Sequence, residues 1–111
     1  MDRVRLRRYV RHGMLPQLVA FEATARLGSC SRAAEQLHQS QPTISIHIRK
    51  LSESLGQTLF ERAGRGLRLT PAGEEVYQTC RELFSTLEAL DERLTRGGVA
   101  APRAENREAV I

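Results

Sequence analysis

The chain has 111 residues, with 17 Lys and Arg against 13 Asp and Glu, for a formal net charge of +4. That length suits one domain with appendages rather than a large multidomain enzyme, and 41% hydrophobic content with 5% aromatics and no Trp makes its core small and mostly aliphatic. No run of 18 apolar residues exists to span a membrane as a helix, and the N-terminal arginines lead into no apolar stretch of a secretory signal.

Residues 1–14 carry Arg3, Arg5, Arg7, Arg8 and Arg11 against Asp2, a basic extension that accounts numerically for the whole excess charge. From Leu15 to Leu27, Leu15, Leu18, Val19, Phe21, Ala25 and Leu27 recur at near-helical spacing, and Gly28 stops the run. Ser31 suits the N-cap of a short second helix, Arg32 to His38, whose Ala33, Ala34 and Leu37 can pack closely on neighbours. After a break at Gln39, Ser40 caps a third helix running to about Leu55 and ended by Gly56. Pro42 is tolerated in its first turn, where N–H groups have no intrahelical partner.

Leu59, Phe60, Leu67 and Leu69 bracket Arg62-Ala63-Gly64-Arg65-Gly66, the pattern of a two-stranded hairpin with glycines supplying positive φ. Thr70-Pro71 then opens a long helix to Arg96, with Glu74 and Glu75 near the positive end of its dipole. Val99 to Ile111 has no clear period and reads as a linker or a disordered tail. Charge follows these elements: residues 40–69 carry Arg49, Lys50, Arg62, Arg65 and Arg68 against Glu53 and Glu61, while residues 70–96 carry three Arg against six acids. A basic middle is the footprint expected for a polyanion; taken alone, it is equally a solvated surface.

Ser31-Arg32-Ala33-Ala34-Glu35-Gln36-Leu37-His38, then Ser40-Gln41-Pro42-Thr43-Ile44-Ser45 and Ile48-Arg49-Lys50-Leu51, resembles the N-terminal domain of LysR-type transcriptional regulators. So do Leu55-Gly56, Leu59-Phe60-Glu61-Arg62 and Leu69-Thr70-Pro71-Ala72-Gly73, in family order and spacing, and the resemblance covers roughly Leu15 to Arg96. It implies a mainly α fold, a winged helix-turn-helix at 15–70, followed by a linker and dimerisation helix at 71–96. Residues 1–14 then form an extension, and 97–111 a flexible linker towards an effector-binding domain that these residues do not include. The implied function is sequence-specific double-stranded DNA binding in the cytoplasm, by a homodimer on an interrupted palindrome. A higher oligomer in the full-length parent, and a small-molecule effector bound only by the further domain, are compatible with it.

On a helical wheel Ile44, Ile48, Leu51 and Leu55 form one narrow stripe, the core face of the third helix. Pro42, Ile46, Arg49, Lys50 and Glu53 turn outward, with Gln41, Thr43, Ser45 and His47 on the flanks. The segment at about 41–55 is therefore the recognition helix for the major groove, with Gln41, Pro42, Thr43, Ser45, Ile46 and His47 as base readers. Ordinary capping is the competing role for Ser31 and Ser40. Position 46 is often basic in the family, and an exposed Ile there offers a thymine methyl an apolar contact but a guanine no hydrogen bond. Position 52, commonly Glu in the family, is Ser52. Ser31, Arg32, Arg49, Lys50, Arg62, Arg65 and Arg68 are phosphate or minor-groove candidates, with solvent the alternative for Arg32 and a salt bridge to the acidic long helix the alternative for Arg68.

Val76, Cys80, Leu83, Leu87, Leu90 and Leu94 are spaced four, three, four, three and four, a heptad seam along the long helix. A helix from 71 to 96 extends about 39 Å at 1.5 Å per residue, longer than a head of some fifty-five residues, about 25 Å across. The seam therefore calls for the same helix of a second chain, which the family resemblance pairs antiparallel; packing back on its own head is the alternative for Val76 and Cys80 but does not account for Leu87, Leu90 and Leu94. Cys30 reads as a small buried hydrophobe, and two distant cysteines suggest neither a disulfide framework nor a zinc site. His38 and His47, nine residues apart and without acidic companions, do not suggest a metal pair. An enzyme is not expected and no cofactor is implied, since Gly64-Arg65-Gly66 lacks the lysine and hydroxyl of a phosphate-binding loop and no His has a plausible nucleophile partner. The second reading is a protein-interaction module built on the same winged helix.

Overall fold

The computed structural model describes residues 13–97; nearly all of the basic extension and the tail from 98 onward lie outside them. The chain divides into two compact units, one ending at Arg81 and one beginning at Glu82. Element order is α1 (Met14–Leu27), α2 (Cys30–Leu37), α3 (Gln41–Leu55), β1 (Phe60–Ala63), β2 (Gly66–Leu69) and α4 (Pro71–Arg96).

Helix α1 ends where Gly28 enters the left-handed region at φ 72° and donates its N–H to the Thr24 carbonyl at 2.8 Å. Met14, Gln17, Ala20, Phe21, Ala23 and Thr24 of this helix are buried, whereas Leu15, the first of the apolar run, is 50% exposed. Ala20 and Ala23 meet Ala33 and Ala34 of α2 and Ile44 of α3 in one cluster, where small side chains allow close helix approach. Leu15 lies about 140° around the wheel from Ala20, at 100° per residue.

Helix α2 starts two residues earlier than its sequence suggests. Ser29, extended at φ −160°, is the N-cap, and its hydroxyl accepts the Arg32 N–H at 3.2 Å. Ser31 is already helical, because the cap must sit three residues before the N–H it serves and Ser29 follows directly on the glycine ending α1. His38 terminates α2 in the left-handed region at φ 56° instead of forming its last helical residue. Helix α3 has the expected limits: the Ser40 hydroxyl accepts the Thr43 N–H at 3.2 Å, Pro42 lies in the first turn, and Gly56 closes the helix at φ 66°. Ile44 and Leu51 are buried and Ile48 and Leu55 half-buried, as the wheel requires.

The hairpin pairs antiparallel with Phe60 opposite Leu69, Glu61 opposite Arg68, Arg62 opposite Leu67 and Ala63 opposite Gly66. Only Gly64 and Arg65 remain in the loop, and Gly64 takes φ 61°, as the tight turns of two-residue hairpins demand at that position. Two junctions fasten this ribbon to the helices. The Phe21 and Phe60 rings lie 5.1 Å apart at 44°. Thr70 caps α4, its hydroxyl accepting the Gly73 N–H at 3.0 Å and donating to the Thr58 carbonyl at 2.6 Å. Gly73 is buried so closely against this strand end that a Cβ there would overlap the Leu59 carbonyl oxygen.

Candidate nucleic-acid interface

The exposed face of α3 carries what the wheel assigns to it. Gln41, Pro42, Ser45, Arg49 and Lys50 are exposed, Ile46 is 41% exposed, and Thr43 and His47 are half-buried. Two of these side chains are held in place. The Thr43 hydroxyl shares a 2.8 Å hydrogen bond with the Ser40 hydroxyl, and Oε1 of Gln41 accepts the Ser31 hydroxyl at 3.1 Å. Capping is therefore the role of Ser40 and of Ser29, while Ser31 reaches across from α2 to the first residue of α3. Arg32 presents an exposed side chain beside it in sequence. Helices α1 and α2 are further joined by Arg26, which donates to Glu22 at 3.0 Å and to Gln36 at 3.2 Å; the Glu22 carboxylate holds the Arg26 guanidinium pKa above its ordinary value.

The three arginines of the hairpin do not share a face. Strand pairing puts Arg62 on the side of Leu67 and of the half-buried Phe60 and Leu69, Arg68 on the opposite side with Glu61, and Arg65 in the loop. Arg68 bonds Glu61 at 3.1 Å, across the ribbon and not to the long helix. Both partners are largely exposed, so the pair contributes little to stability and yields readily to a stronger anion. This partnership was within reach of the sequence: a two-residue loop at 64 and 65 places 61 opposite 68.

Residues 15–74 match the family model for bacterial regulatory helix-turn-helix proteins of the lysR family. The chain belongs to this family. It is 46% identical over 83 residues to a RuBisCO operon transcriptional regulator of Allochromatium vinosum, covering 75% of this chain and 28% of that protein. Among solved structures, the DNA-binding domain of BenM in complex with catB site 1 DNA aligns with a TM-score of 0.71 at 32% identity, over 79% of this chain and 98% of that one. The DNA-binding domain of CbnR, solved with DNA, aligns with a TM-score of 0.66 at 34% identity, over 74% and 94% of the two chains. The chain thus carries the winged helix-turn-helix DNA-binding domain of LysR-type regulators, and it spans 28% and 26% of the lengths of two RuBisCO operon transcriptional regulators that it matches.

Within the LysR-type frame, α4 needs one correction. Cys80, expected on the dimer seam, is fully buried, with its Sγ 3.8 Å from the Leu18 carbonyl of α1. Burial, reinforced by the Glu22 charge, pushes its thiol pKa up to about 11. The seam pattern in this turn is instead the ordinary periodicity of a helix lying on its own core; Val76 is half-buried in the same unit. Beyond Arg81 the pattern changes meaning: Leu83, Leu87, Leu90 and Leu94 are 37%, 44%, 43% and 42% exposed, a leucine stripe along one side of the helix. Among the described residues no helix is long and apolar enough to cross a membrane, and no group of three or more His, Cys, Asp or Glu residues is placed to hold a metal. Cys30 is half-buried at the edge of the alanine cluster.

Proposed function

We propose that this chain is the DNA-reading and dimerising part of a cytoplasmic, non-enzymatic transcriptional regulator that binds an interrupted palindrome as a homodimer. The observation that carries the reading is the exposed polar and basic face of α3, set opposite an inward stripe of buried Ile44 and Leu51 with half-buried Ile48 and Leu55. In this account residues 15–70 form the DNA-binding domain and α3 lies in the major groove. Gln41, Pro42, Thr43, Ser45, Ile46 and His47 meet base edges. Arg32, Arg49, Lys50, Arg62, Arg65 and Arg68 meet phosphates or the minor groove, which fixes orientation without selecting sequence. The DNA complexes of the BenM and CbnR domains support this mode of use.

Residues 71–96 supply the dimer contact in the same reading, through Leu83, Leu87, Leu90 and Leu94. Four leucines exposed on one side of one helix support it, since such a row is costly in water without a partner. Effector binding belongs to a portion of the regulator that lies outside the matched residues. Duplex affinity measured against salt tests the DNA reading: neutralising about six phosphates gives a log–log slope near −5. A chain that serves only as a protein-interaction module has no duplex affinity at low salt.

A further inference from the structure

Ser31 does not cap α2, because Ser29 does, and its hydroxyl is spent on a side chain ten residues away. We propose that Ser31 is a positioning residue that holds the carboxamide of Gln41 for the recognition of adenine. The inference rests on the reading of α3 as the recognition helix.

A glutamine exposed at the start of a helix samples several rotamers, and ordering it on a base edge costs entropy. The 3.1 Å hydrogen bond from Ser31 to Oε1 removes part of that freedom before DNA arrives. It also leaves the amide competent. The carbonyl oxygen has two lone pairs and the nitrogen two protons, so one lone pair and both protons remain after Ser31 has been served. Adenine needs an acceptor for its N6 amino group and a donor for N7, and the held amide presents both. Guanine offers two acceptors at the same edge, so its O6 would face the fixed amide oxygen. Both side chains are exposed in the free protein, where water competes for the bond. Docking on DNA removes that water and strengthens the hydrogen bond in the complex. Thr43, on the next part of the same turn, is tied to Ser40 at 2.8 Å in a similar way. The N-terminal turn of α3 therefore meets DNA with its polar groups already arranged.

The test begins with selection of duplexes by the wild-type chain from a random pool. Affinities of wild type, Gln41→Ala, Ser31→Ala and Ser31→Thr are then measured on the selected duplex and on variants with each base pair changed in turn. Gln41→Ala is expected to flatten preference at one A·T pair. Ser31→Ala is expected to lower discrimination at that same pair about three- to tenfold, the worth of one hydrogen bond, with other positions and the salt slope unchanged. Ser31→Thr, which keeps the hydroxyl, restores it. Equal weakening of Ser31→Ala on every duplex, with no position singled out, would mean a phosphate contact and overturn the proposal. So would a lowered melting temperature with base preference intact, or no effect at any position. No position altered in Gln41→Ala overturns the proposal alone, whereas a flat profile for wild type overturns the recognition-helix reading along with it.

Discussion

Replacing Gly73 by Ala opposes two effects whose balance the structure decides. In an unobstructed helix the change is favourable by about 1 kcal/mol, because Gly carries the larger backbone entropy. Here the new methyl would overlap the Leu59 carbonyl oxygen and crowd the Leu69 side chain. That carbonyl also accepts the Thr70 N–H at 3.1 Å, so backing away from the methyl strains the hydrogen bonds that start α4. Overpacking of this kind costs about 1–3 kcal/mol, and weakening one hydrogen bond adds about 1 kcal/mol. The net expectation is a loss of about 1–3 kcal/mol, and at roughly 4–8 °C per kcal/mol for a domain of this size the melting temperature falls by at least several degrees. Thermal and urea melts of wild type and Gly73→Ala measure it, with Thr70→Ala as a cap-loss comparison. A Gly73→Ala chain as stable as wild type, or more so, would refute the close packing of α4 on the strand end.

The two thiols should separate cleanly. Native protein at pH 8 is expected to give one rapidly alkylated cysteine, Cys30, while Cys80 reacts only on unfolding; rapid labelling of both would contradict the burial of Cys80. Because the Cys80 thiol pKa is raised from 9.0 to about 11, its neutral form contributes stability fully below about pH 9. That contribution is lost as pH rises towards 11, so the stability gap between wild type and Cys80→Ala should narrow over that window in urea melts. Ile46→Arg should alter sequence preference more than overall affinity, and an equal change across random duplexes would argue against a base-edge position for residue 46. Leu87→Glu combined with Leu90→Glu should give a folded monomer by sedimentation that has lost tight operator binding; unchanged operator affinity in a monomeric variant would remove α4 from the account.

Element order was legible in the sequence because its punctuation is strong. Gly28, Gly56, Ser40-x-Pro and Thr70-Pro71 each act locally, and each structure boundary beside them agrees with the pattern. The α2 start was not, since Ser29 and Ser31 are both good caps and only the chain path after Gly28 decides between them. The buried face of α1 is not legible for a related reason. Hydrophobicity favours Leu15, but close packing of three helices favours Ala20 and Ala23, and volume at a crossing is not a one-dimensional property. Cys80 satisfies a heptad and a self-packing helix equally well, so spacing alone places it on either. At the interface, the residue types of α3 and their facing followed from periodicity, whereas the Ser31–Gln41 contact joins two helices and needed the fold. The Arg68–Glu61 pair lay between these cases: the loop length fixes the register, and the register fixes the partner.

Selection of bound duplexes from a random pool, followed by footprinting of the winners, tests the central claim most directly. The account predicts an enriched pair of inverted half-sites with an unselected spacer, centred about one helical turn or a small multiple of it apart, both protected at once. An enriched single half-site without its inverted mate, or no enrichment from a chain that still binds DNA, would contradict it.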